Sequence, residues 1–152
     1  MKVMLDRTEL IEKKGEFPPL IIFPEGTCSN NTTLNKFRRG AFMDMRAVQP
    51  MTLKYKTGMV HPAVESLDMG FTLWFLCCST SPITIEVKQL PIFVPNDYLF
   101  SAHADKGDEK WEVYAWACRD LLCKVGGFGC SNLPWRDKIK VYDYYMGKKN
   151  KI

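Results

Sequence analysis

Histidine is nearly missing from this chain. Two occur among 152 residues, His61 and His103, and none stands ahead of residue 61. Proton transfer on an imidazole therefore has two places in which to be built, or takes its histidine from outside the chain. Paired metal-ligand spacing is missing as well. The six cysteines (Cys28, Cys77, Cys78, Cys118, Cys123, Cys130) contain no Cys-x-x-Cys step, which with so little histidine argues against a zinc site. Nor do they form the dense framework of a small secreted domain. The expectation is reduced, mostly buried thiols in a cytosol-like or matrix-like compartment. No apolar run reaches the ~20 residues that a bilayer-spanning helix needs. The opening Met1-Lys2-Val3-Met4-Leu5-Asp6 is neither a signal peptide nor an arginine-rich transit peptide. No motif that reads RNA or DNA accompanies the net charge of +4, so nucleic acid is set aside; the mild excess of base suits phosphate-bearing or anionic-surface partners. What is there is ordinary globular composition, 46% hydrophobic against 25% charged, with length enough for one core.

The candidate chemistry concentrates at Leu20-Ile21-Ile22-Phe23-Pro24-Glu25-Gly26-Thr27. Four apolar residues between Pro18-Pro19 and Pro24 predict a short strand buried on both faces. Pro24 cannot donate to a ladder, so the strand should stop at Phe23. A carboxylate, a glycine and a hydroxyl follow where the backbone would leave the sheet, the end at which open α/β sheets bind ligands. Glu25 can accept from a substrate hydroxyl, and Gly26 lets a ligand approach the backbone closely. Cys28 to Asn35 reads as a polar loop. Its Asn31-Thr32-Thr33 matches a glycosylation sequon, discounted because it lies beside the candidate site and no secretory signal is present.

Around this stretch, Val3 to Lys14 predicts a helix closed by Gly15. Lys36 to Asp44 predicts a short helix with Phe37, Ala41 and Phe42 inward; Lys36, Arg38 and Arg39 are then either phosphate contacts or a solvated basic face. Ala47 to Tyr55 predicts a second strand anchored by Val48, Met51, Leu53 and Tyr55, with Pro50 marking an edge, a bulge or a strand start. Met69 to Ile85 is a run of 17 residues without a charge. It reads as a core helix or as a segment dipping into a membrane interface with Trp74 as anchor. Ile83 to Leu90 alternates as a half-exposed strand. Asp108 to Val125 is the clearest helix, with Trp111, Tyr114, Ala115, Cys118, Leu121, Leu122 and Val125 recurring at three and four and Gly126-Gly127 closing it. Residues 136–152 form a basic, tyrosine-bearing tail, either a solvated terminus or an adhesive one for an anionic membrane or a partner subunit.

Phe23-Pro24-Glu25-Gly26-Thr27 resembles the third signature block of the glycerolipid acyltransferase superfamily, the glycerol-3-phosphate and lysophospholipid acyltransferases. Two ordered matches follow: Lys36-Phe37-Arg38-Arg39-Gly40-Ala41-Phe42 resembles the family's Phe-Lys-x-Gly-Ala-Phe step, and Ala47-Val48-Gln49-Pro50-Met51 its Val-x-Pro-Val block. Cys28 with Ser29-Asn30-Asn31 is similar to the eukaryotic forms, and Asn132-Leu133-Pro134-Trp135 resembles the tail of the eukaryotic glycerol-3-phosphate enzymes. The resemblance implies an α/β fold, a mixed sheet covered by helices, of which residues 1–135 would be the C-terminal half and the N-terminal part would be missing.

It also implies acyl-CoA as a substrate, no cofactor, and glycerol-3-phosphate or a lysophospholipid as acceptor. Acceptor binding would fall to Glu25, Gly26, Thr27, Arg38, Arg39 and Pro50, at an intracellular membrane surface of the endoplasmic reticulum or mitochondrion. The family's catalytic His-x-x-x-x-Asp lies upstream of Pro-Glu-Gly, whereas only 22 residues precede Phe23 and none is histidine. The expectation is a base supplied from upstream or by a partner chain that completes the sheet. The alternative is an inactive split or degenerate subunit with a structural role in a membrane-associated complex. His103 and Asp108 have the same spacing but stand downstream. With two histidines and nine aspartates in the chain, that match is read as chance.

Overall fold

The computed structural model describes residues 6–11, 18–58, 61, 69–80, 82–145 and 147. Strand β1 (Thr33–Leu34), strand β2 (Met51–Lys56), helix α1 (Met69–Cys78), strand β3 (Thr84–Gln89), helix α2 (Asp97–Ala102), helix α3 (Lys110–Gly126), strand β4 (Gly129–Cys130) and helix α4 (Trp135–Tyr145) follow in order, with 3-10 turns at Arg39–Ala41 and Ala104–Lys106. The class is mixed α/β. Among the described residues the expected single mixed sheet is instead two separate two-stranded ladders. β1 pairs in parallel with β4, and β2 pairs antiparallel with β3.

Helix α3 organises the packing, as its spacing predicts. Asp108 N donates to the Glu112 carboxylate at 2.9 Å, which secures the first turn. Gly127, at φ +65°, supplies the left-handed residue that ends the helix. Its inward stripe of Tyr114, Ala115, Cys118 and Leu122 packs with Phe37 and Phe42 into the core. Tyr114 is completely buried. Its ring meets Phe42 edge-on at 5.2 Å, and its hydroxyl reaches the carbonyls of Arg46 at 2.9 Å and Phe93 at 3.0 Å. An aromatic pair of this kind adds about 1 kcal/mol beyond its burial. The polar tip also has acceptors, which a buried phenol requires.

The ladder of β2 and β3 runs from Met51 opposite Gln89 to Lys56 opposite Thr84, and is extended by the bridge between Val48 and Phe93. The stretch from Gln89 to Phe93 is one residue longer than that from Val48 to Met51, so that segment carries a bulge, opposite buried Pro50. The Pro50 carbonyl accepts from Leu90 N at 3.0 Å, while its missing N–H costs the ladder nothing there. Lys54 Nζ crosses from β2 to the Gly126 carbonyl at 3.1 Å, placing a cation at the negative end of α3. Asn31 pairs through its amide with both backbone groups of Tyr55, at 2.7 and 3.3 Å. The sequon asparagine is thus engaged as a substitute strand neighbour.

Several expectations are corrected. Residues 18–23 are not a strand, and Ile21 and Phe23 are 71% and 68% exposed. Extended apolar chain becomes a strand only when a neighbour takes its backbone bonds, and among the described residues no strand pairs with it. The predicted polar loop contains β1. The Lys36–Asp44 helix is reduced to the 3-10 turn, although Phe37 and Phe42 are buried as expected. In β2 the buried side chain is Thr52, while Met51 points outward. The core-helix alternative for the uncharged run fails. Within α1 only Thr72 is buried, and Phe71, Leu73, Trp74 and Phe75 are exposed. Apolar residues lie all round this helix, and no described element packs broadly on it. The thiols differ too. Cys123 and Cys130 are joined as a disulfide, brought together by the reversal at Gly126-Gly127, and Cys28, Cys77 and Cys78 are exposed; only Cys118 is a buried thiol. Residues 6–11 are helical; the remainder of the Val3–Lys14 prediction, with Gly15, lies outside the described residues. The basic tail begins as α4, and residues 148–152 lie outside the described residues. No described helix is long and apolar enough to cross a membrane.

Candidate functional site

The Pro-Glu-Gly turn is built by a bond from Gly26 N to the Phe23 carbonyl at 3.1 Å and by φ +65° at Gly26. It docks on the basic segment through two backbone donors, and a third contact to Ser29 braces the carboxylate. Arg38 N donates to the Pro24 carbonyl at 2.8 Å. Asn35 N donates to Glu25 Oε2 at 2.9 Å, and Ser29 Oγ lies 3.5 Å from Glu25 Oε1. The Arg38 side chain occupies the space over Gly26, where an added Cβ would come within 2.5 Å of its Cδ. Glycine is favoured here by its positive φ, and any added Cβ would also have to displace the flexible end of the Arg38 side chain.

The structure thus brings Glu25, Gly26 and Arg38 together and leaves the other predicted residues elsewhere. Thr27 makes a local contact, its hydroxyl 3.5 Å from the Cys28 carbonyl. Arg39 parts from Arg38: it pairs with Glu109 at 3.7 Å and lies over the Trp111 ring at 5.9 Å. Pro50 stands in the β2–β3 ladder, opposite the bulge. His103 rests on the Trp116 ring at 5.0 Å, Asp108 is held through its backbone by Glu112, and the two make no hydrogen bond with each other.

Beside Asn35, Lys36 and Phe37 open into a cleft of about 400 Å³. Its other walls come from α3 (Trp111, Glu112, Ala115, Trp116, Arg119), from the turn at Asp105 and Lys106, and from Asn132. Lys36 pairs with Glu112 at 3.8 Å and Lys106 with Asp105 at 2.7 Å. The hydrogen bond from Lys106 holds the Asp105 carboxyl below its usual range. Arg119 was not anticipated. It is only 8% exposed, and it donates to the Ser131 carbonyl at 2.8 Å and to Asn132 Oδ1 at 3.1 Å. Burial pushes its guanidinium downward, partly offset by the field of Asp120. The signal was available in the helix period: residue 119 stands four after Ala115 on the buried arc, where an arginine is out of place. No group of three His, Cys, Asp or Glu side chains that could hold a metal ion occurs among the described residues.

Comparison with known proteins bears on this arrangement. An acyltransferase family model matches residues 1–85, more than half of the 152-residue chain. Human lysophosphatidylcholine acyltransferase 2 is 38% identical over 126 residues, 81% of this chain and 21% of that protein. Lysophosphatidylcholine acyltransferase 1 of rat and of mouse is 33% identical over 130 residues, 83% of this chain and 22% of theirs. The chain spans about a fifth of the length of these relatives. No solved structure matches it.

Proposed function

Since the chain belongs to the acyltransferase family, within the glycerolipid acyltransferase superfamily, we propose that it supplies the acceptor-binding part of an acyl-CoA-dependent acyltransferase. The acceptor is a lysophospholipid, with glycerol-3-phosphate as the second candidate. One observation carries this reading: a carboxylate and a guanidinium are brought to one turn, the arginine lying over Gly26, where the Pro-Glu-Gly segment docks on residues 35–38. In the reaction the acceptor hydroxyl attacks the thioester carbonyl carbon, its proton passes to an imidazole, and the C–S bond breaks to release the thiolate of coenzyme A. Arg38 would bind the acceptor's phosphate. Glu25 would orient the hydroxyl with the acceptor capacity left after its bond to Asn35, since each carboxylate oxygen has two lone pairs. The imidazole would come from a His-x-x-x-x-Asp segment ahead of this chain or on a partner.

The test is acyl transfer by the full-length gene product to lysophosphatidylcholine and to glycerol-3-phosphate. Arg38→Ala should raise the acceptor KM by roughly tenfold, the loss of one charge-assisted contact. Glu25→Gln should lower kcat while leaving KM for acyl-CoA unchanged. Wild-type acceptor kinetics in the Arg38→Ala protein would overturn the assignment.

A structural-subunit reading is favoured by the exposed apolar side chains of α1 and β3, which suit a covering partner chain or a membrane surface. Acyl transfer by this chain alone would sink that alternative.

A further inference from the structure

Helix α1 carries two thiols on its open side. Cys77 and Cys78 are exposed and free, and they stand together in its last turn. Cys77 follows Leu73 by four residues and Trp74 by three; Cys78 follows Trp74 by four and Phe75 by three. Both thiols therefore border the exposed apolar side chains of the preceding turn. Thr72 is buried and Leu76 half-buried, so the helix is open and apolar round most of its axis. A groove on a partner protein covers one face of a helix, whereas hydrocarbon covers every face. The helix has 10 residues and rises about 15 Å, half of the ~30 Å hydrocarbon core, so it fits within one leaflet and is too short to span. After Cys78 the chain turns polar at once, in Ser79-Thr80-Ser81, and Ser79 N donates to the Leu76 carbonyl at 3.2 Å. The thiols thus mark the boundary between an apolar helix and its polar exit.

We propose that Cys77 and Cys78 are sites of S-acylation, and that the attached chain, with the apolar side chains of α1, holds this helix in one leaflet of a bilayer. The thiol gives up its proton, and its sulfur attacks the carbonyl carbon of a long-chain acyl-CoA. The C–S bond to coenzyme A breaks, and coenzyme A leaves as the free thiol, carrying that proton. One thioester replaces another, so no oxidant or reductant is consumed. A single acyl chain gives only marginal, reversible membrane binding, and firm anchoring takes a second signal. The neighbouring thiol or the exposed surface of α1 supplies it. The modification is separate from the acceptor turn and does not depend on acyl transfer by this chain.

The experiment is expression of the full chain in a eukaryotic host fed an alkyne-bearing palmitate. Labelled sites are mapped by mass spectrometry, and the membrane-bound fraction is assayed before and after neutral hydroxylamine, which cleaves thioesters and spares oxygen esters. The label should sit on Cys77 or Cys78 and be lost with hydroxylamine. Combining Cys77→Ser with Cys78→Ser should lower the label by roughly fivefold or more. Because both side chains are exposed, the double variant should keep the wild-type far-ultraviolet spectrum. Cys28→Ser, which removes an exposed thiol from a polar loop, should keep the label. Hydroxylamine should lower the membrane-bound fraction of the wild-type chain by roughly tenfold, a readout that stands even if the double variant does not fold. Absence of label, a label on Cys28 alone, or one that resists hydroxylamine overturns the assignment. A membrane-bound fraction unmoved by hydroxylamine, or labelled protein recovered in solution with a partner chain, overturns the anchor.

Discussion

Helices α1 and α3 invert the usual relation between apolarity and burial. Helix α1, Met-Gly-Phe-Thr-Leu-Trp-Phe-Leu-Cys-Cys, carries no charge, yet Thr72 is its one buried residue. Helix α3 includes Lys110, Glu112, Arg119, Asp120 and Lys124, yet it buries Tyr114, Ala115, Cys118 and Leu122 in the core. The difference lies in pattern and partner. In α3 the apolar residues keep to one arc, which Phe37 and Phe42 cover. In α1 they surround the axis, so Phe71, Trp74 and Phe75 touch one another at 5.5 to 5.9 Å while remaining open on their outer sides. Hydrophobic content measures how much burial would stabilise a helix; it does not supply the surface to bury against.

Five measurements would break or sharpen that contrast. The largest effect should come from Tyr114→Ala, which empties the centre of the core and should cost about 3–5 kcal/mol in denaturant unfolding. Tyr114→Phe keeps the ring but strips a partner from two carbonyls, for a smaller loss of about 1–3 kcal/mol.

The third is alkaline stability. Burial pushes the Cys118 thiol up to about 12 and raises the Tyr114 phenol as well. Between the ordinary thiol value of ~8.5 and that raised value, the folded state holds a proton that the unfolded state has released. The stabilising difference is therefore whole below this window and declines as pH rises through it. Cys118→Ala should flatten the decline. In the native protein near pH ~8, an alkylating reagent should modify exposed Cys77 and Cys78 and spare Cys118. Labelling of Cys118 first would contradict the packing. The smallest effect should be that of Trp74→Ala, within about 0.5 kcal/mol in water. A large destabilisation there would mean that α1 is covered in the folded chain.

Legibility followed the same division. The α3 period, its closure at Gly126-Gly127 and the inward Phe37 and Phe42 could be read directly, because three-and-four spacing and glycine at a helix end are local signals. Pro50 was readable as an irregularity, and the ladder decided which one. The Leu20–Phe23 strand was misread, since a strand exists only with its neighbour and apolar residues alone do not name one. Buried Arg119 was missed: its environment is set by Ser131 and Asn132, twelve and thirteen residues away. The Cys123–Cys130 link escaped for a similar reason, because a reversal of backbone direction brings the two together.

At the site, residue order alone established the family blocks, since motif identity is a property of the chain itself. Tertiary structure decided that Arg38 rather than Arg39 lies against Gly26, that Glu25 also holds Asn35, and that Arg119 is buried with the Ser131 carbonyl and Asn132 Oδ1 as its acceptors. Those outcomes depend on which surfaces meet, and a guanidinium chooses among acceptors only once folding has set them in reach.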